Sequence, residues 1–241
     1  MRANTGFYGA RLLLALAHHM QAVDAMEPLV HIVDDDDAVR HSLRCLLDSI
    51  QIESAEYSTG RAFAQRERDS RPGCVLLDLR IPDMSGLDIQ RSLAEEAQHL
   101  PVIFMTGYGD VEASVSAMRE GAANFLTKPV NGELLLAEVR DSIERSREIL
   151  AEHQHCESVC ARMSLLTPRE ADVLEEVVAG WSNKHVARRL GISPKTVELH
   201  RANVMNKMRA GSLAELVRLH LTATGESPSS LRNRGPERRR G

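Results

Sequence analysis

Cys74-Val75-Leu76-Leu77-Asp78-Leu79-Arg80-Ile81-Pro82-Asp83-Met84-Ser85-Gly86 is the stretch on which the fold turns. An apolar run leads to an aspartate, and the chain then breaks. Val75, Leu76 and Leu77 show no polar alternation, so they read as a strand buried on both faces, as in a parallel sheet. Pro82, Asp83, Ser85 and Gly86 end it. Asp78 therefore falls at the carboxyl end of a central strand, where open α/β sheets carry their sites.

Working outward, the same grammar recurs. Leu29-Val30-His31-Ile32-Val33 runs into Asp34-Asp35-Asp36-Asp37, and Pro101-Val102-Ile103-Phe104-Met105 into Thr106-Gly107. Asn124-Phe125-Leu126 runs into Thr127-Lys128-Pro129, and residues 53–57 form a weaker strand. Helical spacing fills the gaps. Val39, Leu43, Leu46, Leu47 and Ile50 follow a cap at Asp36 or Asp37. Residues 58–68 follow Ser58 or Thr59, another helix spans Ser85 to Ala97, and a fourth runs from Asp110 to about Glu120 before Gly121. A long helix covers Asn131 to Leu150, with Leu134, Leu135, Val139, Ile143 and Ile149 on one stripe. Five alternations of strand and helix predict an α/β doubly wound five-stranded parallel sheet.

The 241 residues suffice for two domains. Hydrophobic residues make up 43% and charged residues 27%, ordinary for a globular chain, while aromatics at 3% leave the cores aliphatic. The net charge of -4 hides a division. Residues 1–163 carry 16 Lys and Arg against 26 Asp and Glu; residues 164–241 carry 14 against 8. An acidic front suits a cation or a partner, and a basic back suits a polyanion. Cys45 and Cys74 read as buried small hydrophobes, and Cys156 and Cys160 as a pair of free thiols rather than a two-ligand metal site. Residues 1–27 read as a poorly ordered extension, with Met26 a second possible start. Its run Leu12 to Ala17 is too short to span a membrane.

The ends of parallel strands share one edge of a sheet. Asp34, Asp35, Asp78, Thr106 and Lys128 therefore converge. Three carboxylates together call for a hard divalent cation, and Mg²⁺ is the one that tolerates water and phosphate oxygens as further ligands. A carboxylate beside it can act as nucleophile and become an acyl phosphate, while a hydroxyl and an ammonium hold the remaining oxygens.

The motifs Val33-Asp34-Asp35, Asp78 through Gly86, Thr106-Gly107 and Lys128-Pro129 resemble the receiver domain of two-component response regulators, flavodoxin-like in fold, over about residues 28–150. The separations of 44, 28 and 22 residues between Asp34, Asp78, Thr106 and Lys128 match its FixJ-like branch. The resemblance implies phosphorylation of Asp78 by a sensor histidine kinase. It implies Mg²⁺ as cofactor, ligated directly by Asp35, through water by Asp34, and by Asp78 and the backbone carbonyl of Arg80. Thr106 and Lys128 would contact the phosphoryl group, the Lys128-Pro129 bond would be cis, and Phe125 would be the switch aromatic that fills the space Thr106 leaves.

Residues 146–162 read as a helix tail and linker between a receiver at 28–145 and a domain at 163–225. Thr167-Pro168-Arg169-Glu170 is a capping box with proline at the first helical position. Val173, Leu174, Val177 and Val178 give that helix its apolar face. Ser182 caps a helix to Leu190, Gly191 turns the chain, and Ser193-Pro194 opens the next helix, a helix-turn-helix pattern. Ser212 caps a fourth helix. Between Lys184 and Arg209 there are seven Lys and Arg and one Glu, a charge pattern suited to DNA phosphates. The run from Leu166 through Val197-Glu198-Leu199-His200-Arg201-Ala202-Asn203-Val204-Met205-Asn206-Lys207 is similar to the LuxR/NarL-type DNA-binding domain, which implies a small all-α, four-helix helix-turn-helix module. The likeness puts residues 194–208 in the major groove. Lys195, Glu198, Leu199 and Ala202 are candidates to face bases; Thr196, His200, Arg201, Asn203 and Lys207 are phosphate contacts or structural residues. Residues 226–241, with five Arg, read as a disordered basic tail.

The expectation is a cytoplasmic transcription factor rather than an enzyme. It is switched by its kinase, dimerises through the fourth helix and fifth strand, and binds double-stranded promoter DNA. It contacts RNA polymerase as an activator, the habit of the family, and needs no membrane. Two other readings fit less well. A hydrolase using Asp78 transiently lacks a second carboxylate two residues on, where Arg80 stands. A DNA-binding protein with a vestigial receiver fits poorly with the complete acidic set.

Overall fold

The computed structural model describes residues 26–107 and 121–226. Among these, the chain up to Glu152 forms one compact unit and the chain from His153 another. The expected extension before Met26, the helix expected from Asp110 to about Glu120 and the tail beyond Glu226 lie outside the described residues.

The first unit holds β1 (Leu29–Val33), α1 (Asp37–Asp48), β2 (Glu53–Tyr57), α2 (Gly60–Ala64), β3 (Gly73–Asp78), β4 (Arg80–Ile81), β5 (Met84–Ser85), α3 (Gly86–Glu96), β6 (Val102–Thr106), β7 (Asn124–Thr127) and the start of α4 (Gly132–Ser164). Five strands form one parallel sheet in the order β2-β1-β3-β6-β7. This is the flavodoxin-like order, with its switch point between β1 and β3. Every residue of β1, β3 and β6 is buried, as continuous apolar runs require; β2, with two exposed Glu, is an edge.

The two-residue period divides the sheet's side chains between two cores. Val33, Val75, Leu77 and Phe104 pack with Phe63, Ile89 and Leu93 on one face. Ile32, Leu76, Ile103 and Met105 pack with Leu43, Leu47, Leu135, Val139 and Ile143 on the other. Gly73 has no room for a side chain: a Cβ there would lie 1.9 Å from the carbonyl oxygen of Leu29. Its N–H donates to the buried Ser146 hydroxyl at 3.1 Å, which ties β3 to α4.

Several elements differ from expectation. The helix read at 58–68 is only Gly60–Ala64, capped by Thr59. Its apolar stripe stops at Phe63, and no large apolar residue follows until Val75. The residues after Asp78 do not simply break the strand but form a small antiparallel hairpin, Arg80 facing Ser85 and Ile81 facing Met84. Cys74 is buried as expected, whereas Cys45 is exposed on the outer side of α1, away from Leu43 and Leu47. The residues read as helix tail and linker, 146–162, are helical throughout, because α4 runs to Ser164. Neither Gly nor Pro occurs between Gly132 and Pro168 to stop it.

The second unit contains the end of α4, then α5 (Pro168–Val178), α6 (Asn183–Leu190), α7 (Pro194–Met208) and α8 (Leu213–Thr224). Val159 of α4 joins Val173, Leu174, Val177, Val186, Val197, Val204, Met208, Leu216 and Leu219 in its core. Thr167 and Glu170 form the full capping box at the start of α5. Gly191, at φ +67°, makes the turn between α6 and α7, a conformation that glycine adopts without penalty. No helix among the described residues is long and apolar enough to cross a membrane.

Candidate functional site: an acidic pocket and a reading helix

At the carboxyl edge of the sheet, Asp34, Asp35 and Asp78 each offer an oxygen, all within 4.8 Å of one another. Asp34 is wholly buried, Asp78 nearly so, and Asp35 is exposed. Local chemistry fixes each. The Asp34 carboxylate accepts from the Asp36 N–H at 3.0 Å, and its carbonyl accepts from Arg40 Nη1 at 2.6 Å. The Asp78 carboxylate accepts from the Arg80 N–H at 3.1 Å. Asp36 caps α1, turning the acidic run into the helix start.

Lys128 enters from the loop after β7. Its ammonium donates to Asp34 at 2.6 Å and to Asp78 at 2.8 Å. Its own N–H donates to the carbonyl of Thr106 at 2.6 Å, so the ends of β6 and β7 are held together. Thr106 is buried beside them, and the Lys128-Pro129 bond is cis, as expected. Burial pushes the Asp34 carboxyl up from its ordinary value, opposed by its bond to Lys128. Burial works to lower the Lys128 ammonium, but its bonds to Asp34 and Asp78 outweigh that and hold it above its ordinary value. One ammonium against three carboxylates leaves the pocket negative, and its donors are hard oxygens. The residues fit a small divalent cation such as Mg²⁺.

Phe125 is half-buried and stacks on Phe104, ring centroids 6.0 Å apart, against the core under the pocket. Arg80 is exposed and meets the site through its backbone. Sequence reasoning missed Arg40, whose buried guanidinium braces the Asp34 carbonyl and pairs with Asp37. A charged residue among the helical positions of α1 carries no signal of a buried role.

In the second unit, Lys195, Glu198, Leu199 and Ala202 recur at helical spacing on one exposed face of α7, joined by exposed Asn203. Leu199 is 61% exposed, unusual for so large an apolar side chain. Val197, Val204 and Met208 bury the opposite face. The structure separates the remaining residues of this group. Lys207 donates to Glu170 at 2.6 Å and to the Leu165 carbonyl at 3.0 Å. Arg201 donates to Asn183 at 3.0 Å, and the Thr196 hydroxyl is 2.8 Å from that of Ser193. His200 is half-buried. These four are engaged with or packed against the protein. Lys184 and Arg188 add exposed cations on α6.

A receiver-type α/β unit with an acidic phosphoacceptor-like pocket, joined to a helix-turn-helix unit, defines a two-part signalling regulator. Residues 30–140 match the response regulator receiver domain, and residues 164–220 match the bacterial regulatory proteins of the luxR family. The chain is 45% identical over 200 residues to the transcriptional regulatory protein FixJ of Azorhizobium caulinodans, covering 83% of this chain and 94% of that one. It is 43% identical over 204 residues to FixJ of Rhizobium meliloti, covering 83% and 98%. The solved structure of the response regulator StyR superposes with a TM-score of 0.72 at 36% identity, over 80% of this chain and 98% of that one. The chain belongs to the FixJ-like response regulators, transcription regulators built of a receiver and a LuxR-type helix-turn-helix domain.

Proposed function

We propose that Asp78 accepts a phosphoryl group from a sensor histidine kinase and that this modification controls promoter binding by α7. The observation that carries the reading is the Lys128 ammonium bridging Asp34 and Asp78 beside a third carboxylate. Asp34, Asp35, Asp78 and the Arg80 carbonyl would hold Mg²⁺, which when bound neutralises the carboxylates and the incoming phosphoryl oxygens. An Asp78 oxygen attacks phosphorus, the bond from phosphorus to the kinase imidazole breaks, and the imidazole leaves with its electron pair. Lys128 and the Thr106 hydroxyl take the remaining phosphoryl oxygens, a positioning role. The acyl phosphate adds charge at the end of β3, which draws Thr106 and lets Phe125 follow.

The protein then dimerises on its receiver, and two α7 helices read neighbouring half-sites of double-stranded DNA. Lys195, Glu198, Leu199, Ala202 and Asn203 face the groove; Thr196, His200, Arg201 and Lys207 set the helix in place. The regulator works in the cytoplasm as an activator, through RNA polymerase. Phosphorylating the full chain with a small phosphodonor and Mg²⁺ tests this, with Asp78→Asn beside it. Label on the wild type alone, with tighter DNA binding, is expected. Equal DNA affinity in all samples would leave the receiver vestigial, and steady release of phosphate from a small phosphoester would favour the hydrolase.

A further inference from the structure

The exposed Asp83 lies in the two-residue turn of the β4–β5 hairpin, five residues after Asp78. One oxygen of its carboxylate accepts from the N–H of Gly60 and the other from that of Arg61, both at 2.9 Å. Those are the first two donors of α2, which have no partner within the helix. The Thr59 hydroxyl takes the third, from Ala62 at 3.1 Å. The hairpin is thus pinned to a different connection of the fold, the one after β2. Gly60 allows the close approach: a Cβ there would lie 2.8 Å from Cβ of Met84 and 2.9 Å from Cδ1 of Ile89. The same hairpin carries Arg80, whose N–H holds the Asp78 carboxylate.

We propose that Asp83 is a positioning residue of the acidic pocket: by clamping the hairpin to α2 it holds the Arg80 backbone against Asp78. The metal part of this rests on the reading above, that the pocket binds Mg²⁺. Groups that orient metal ligands without touching the metal alter its affinity, commonly by about tenfold or more. A hairpin of two-residue strands is marginal by itself; Ile81, buried in the core with Met84 packed beside it, holds one side, and the Asp83 tether holds the turn.

The test uses the full chain in two measurements, Mg²⁺ titration by calorimetry and amide hydrogen exchange. Asp83→Ala is expected to weaken Mg²⁺ binding about tenfold and to speed exchange at Gly60, Arg61 and Arg80. Asp83→Asn keeps one acceptor oxygen and falls between. Gly60→Ala, which pushes the hairpin off α2 without altering a carboxylate, shifts both readouts the same way. Thr59→Ala frees the Ala62 amide and loosens α2 alone, so it leaves Mg²⁺ affinity and Arg80 exchange as in the wild type. Wild-type affinity and Arg80 exchange in Asp83→Ala would overturn the proposal. So would Thr59→Ala weakening Mg²⁺ as much as Asp83→Ala, since the effect would then be general fraying. A wild type with no saturable Mg²⁺ binding removes the metal reading, and Arg80 exchange then decides the clamp by itself.

Discussion

Lys207, in the last turn of α7, donates to the buried Glu170 carboxylate of α5 at 2.6 Å. The same carboxylate accepts from the Thr167 N–H at 2.8 Å. One acidic side chain therefore closes the cap of α5 and anchors the last turn of α7.

From this pair follows an acid dependence of the second unit. The bond from Lys207, then that from Thr167, holds the Glu170 carboxyl at about 2 against an ordinary 4.5. A depressed folded value stabilises above the unfolded one and is lost as pH falls from 4.5 towards 2. Glu170→Gln is expected to flatten that part of the stability profile, and Lys207→Ala to cost on the order of 1 kcal/mol at neutral pH. Trp181 is the chain's one tryptophan and lies in this unit, stacked on His185, so its fluorescence reports the unfolding.

His31 gives the receiver a different dependence. It is 2% exposed in β1, with Nδ1 3.3 Å from the Tyr57 hydroxyl and its ring against Phe63. Burial first, then Arg66 and Arg71 against the opposing Asp69, lowers it from 6.5 to about 4. The unfolded chain takes the proton first, so stability falls as pH drops from 6.5 to 4, by on the order of 3 kcal/mol in all. His31→Phe removes that slope. Urea unfolding followed by circular dichroism at pH 7 and 4.5 measures the difference.

Lys128→Ala should separate metal binding from phosphoryl contact. Without the ammonium, the buried Asp34 carboxylate loses a 2.6 Å partner and faces Asp78 uncompensated. The metal-free melting temperature is expected to fall. Mg²⁺ should then raise it by more than in the wild type, because no internal cation competes. Phosphoryl uptake at Asp78 should slow. A Mg²⁺ response equal to that of the wild type would refute the competition.

On α7, exposure predicts specificity without a stability cost. Glu198→Ala and Leu199→Ala are expected to leave the melting temperature unchanged and to cost about 1–3 kcal/mol each at one base-pair position. Lys184→Ala should weaken binding to all sequences alike and reduce the salt slope by about 1. Binding isotherms at several salt concentrations, on operator and scrambled DNA, distinguish the two behaviours.

Much of this was legible in one dimension. Unbroken apolar runs such as Val75-Leu76-Leu77 identify interior parallel strands, because a strand covered on both faces has no position for a polar residue. Thr167, Ser182 and Ser212 mark helix starts, because capping is a local hydrogen bond. Parallel strands share a direction, so strand-end residues as far apart as Asp34, Asp78 and Lys128 had to meet. What tertiary structure alone decided lies where partners come from unrelated segments. Val159 of α4 packs into the second core rather than lying in a linker. The capture of Lys207 by Glu170 and of the Gly60 and Arg61 amides by Asp83 joins residues with no periodic relation. Periodicity reports which face of an element is buried; it does not say which charged or polar side chain reaches across to finish a neighbour's hydrogen bonds, since that depends on distances set only after the elements pack.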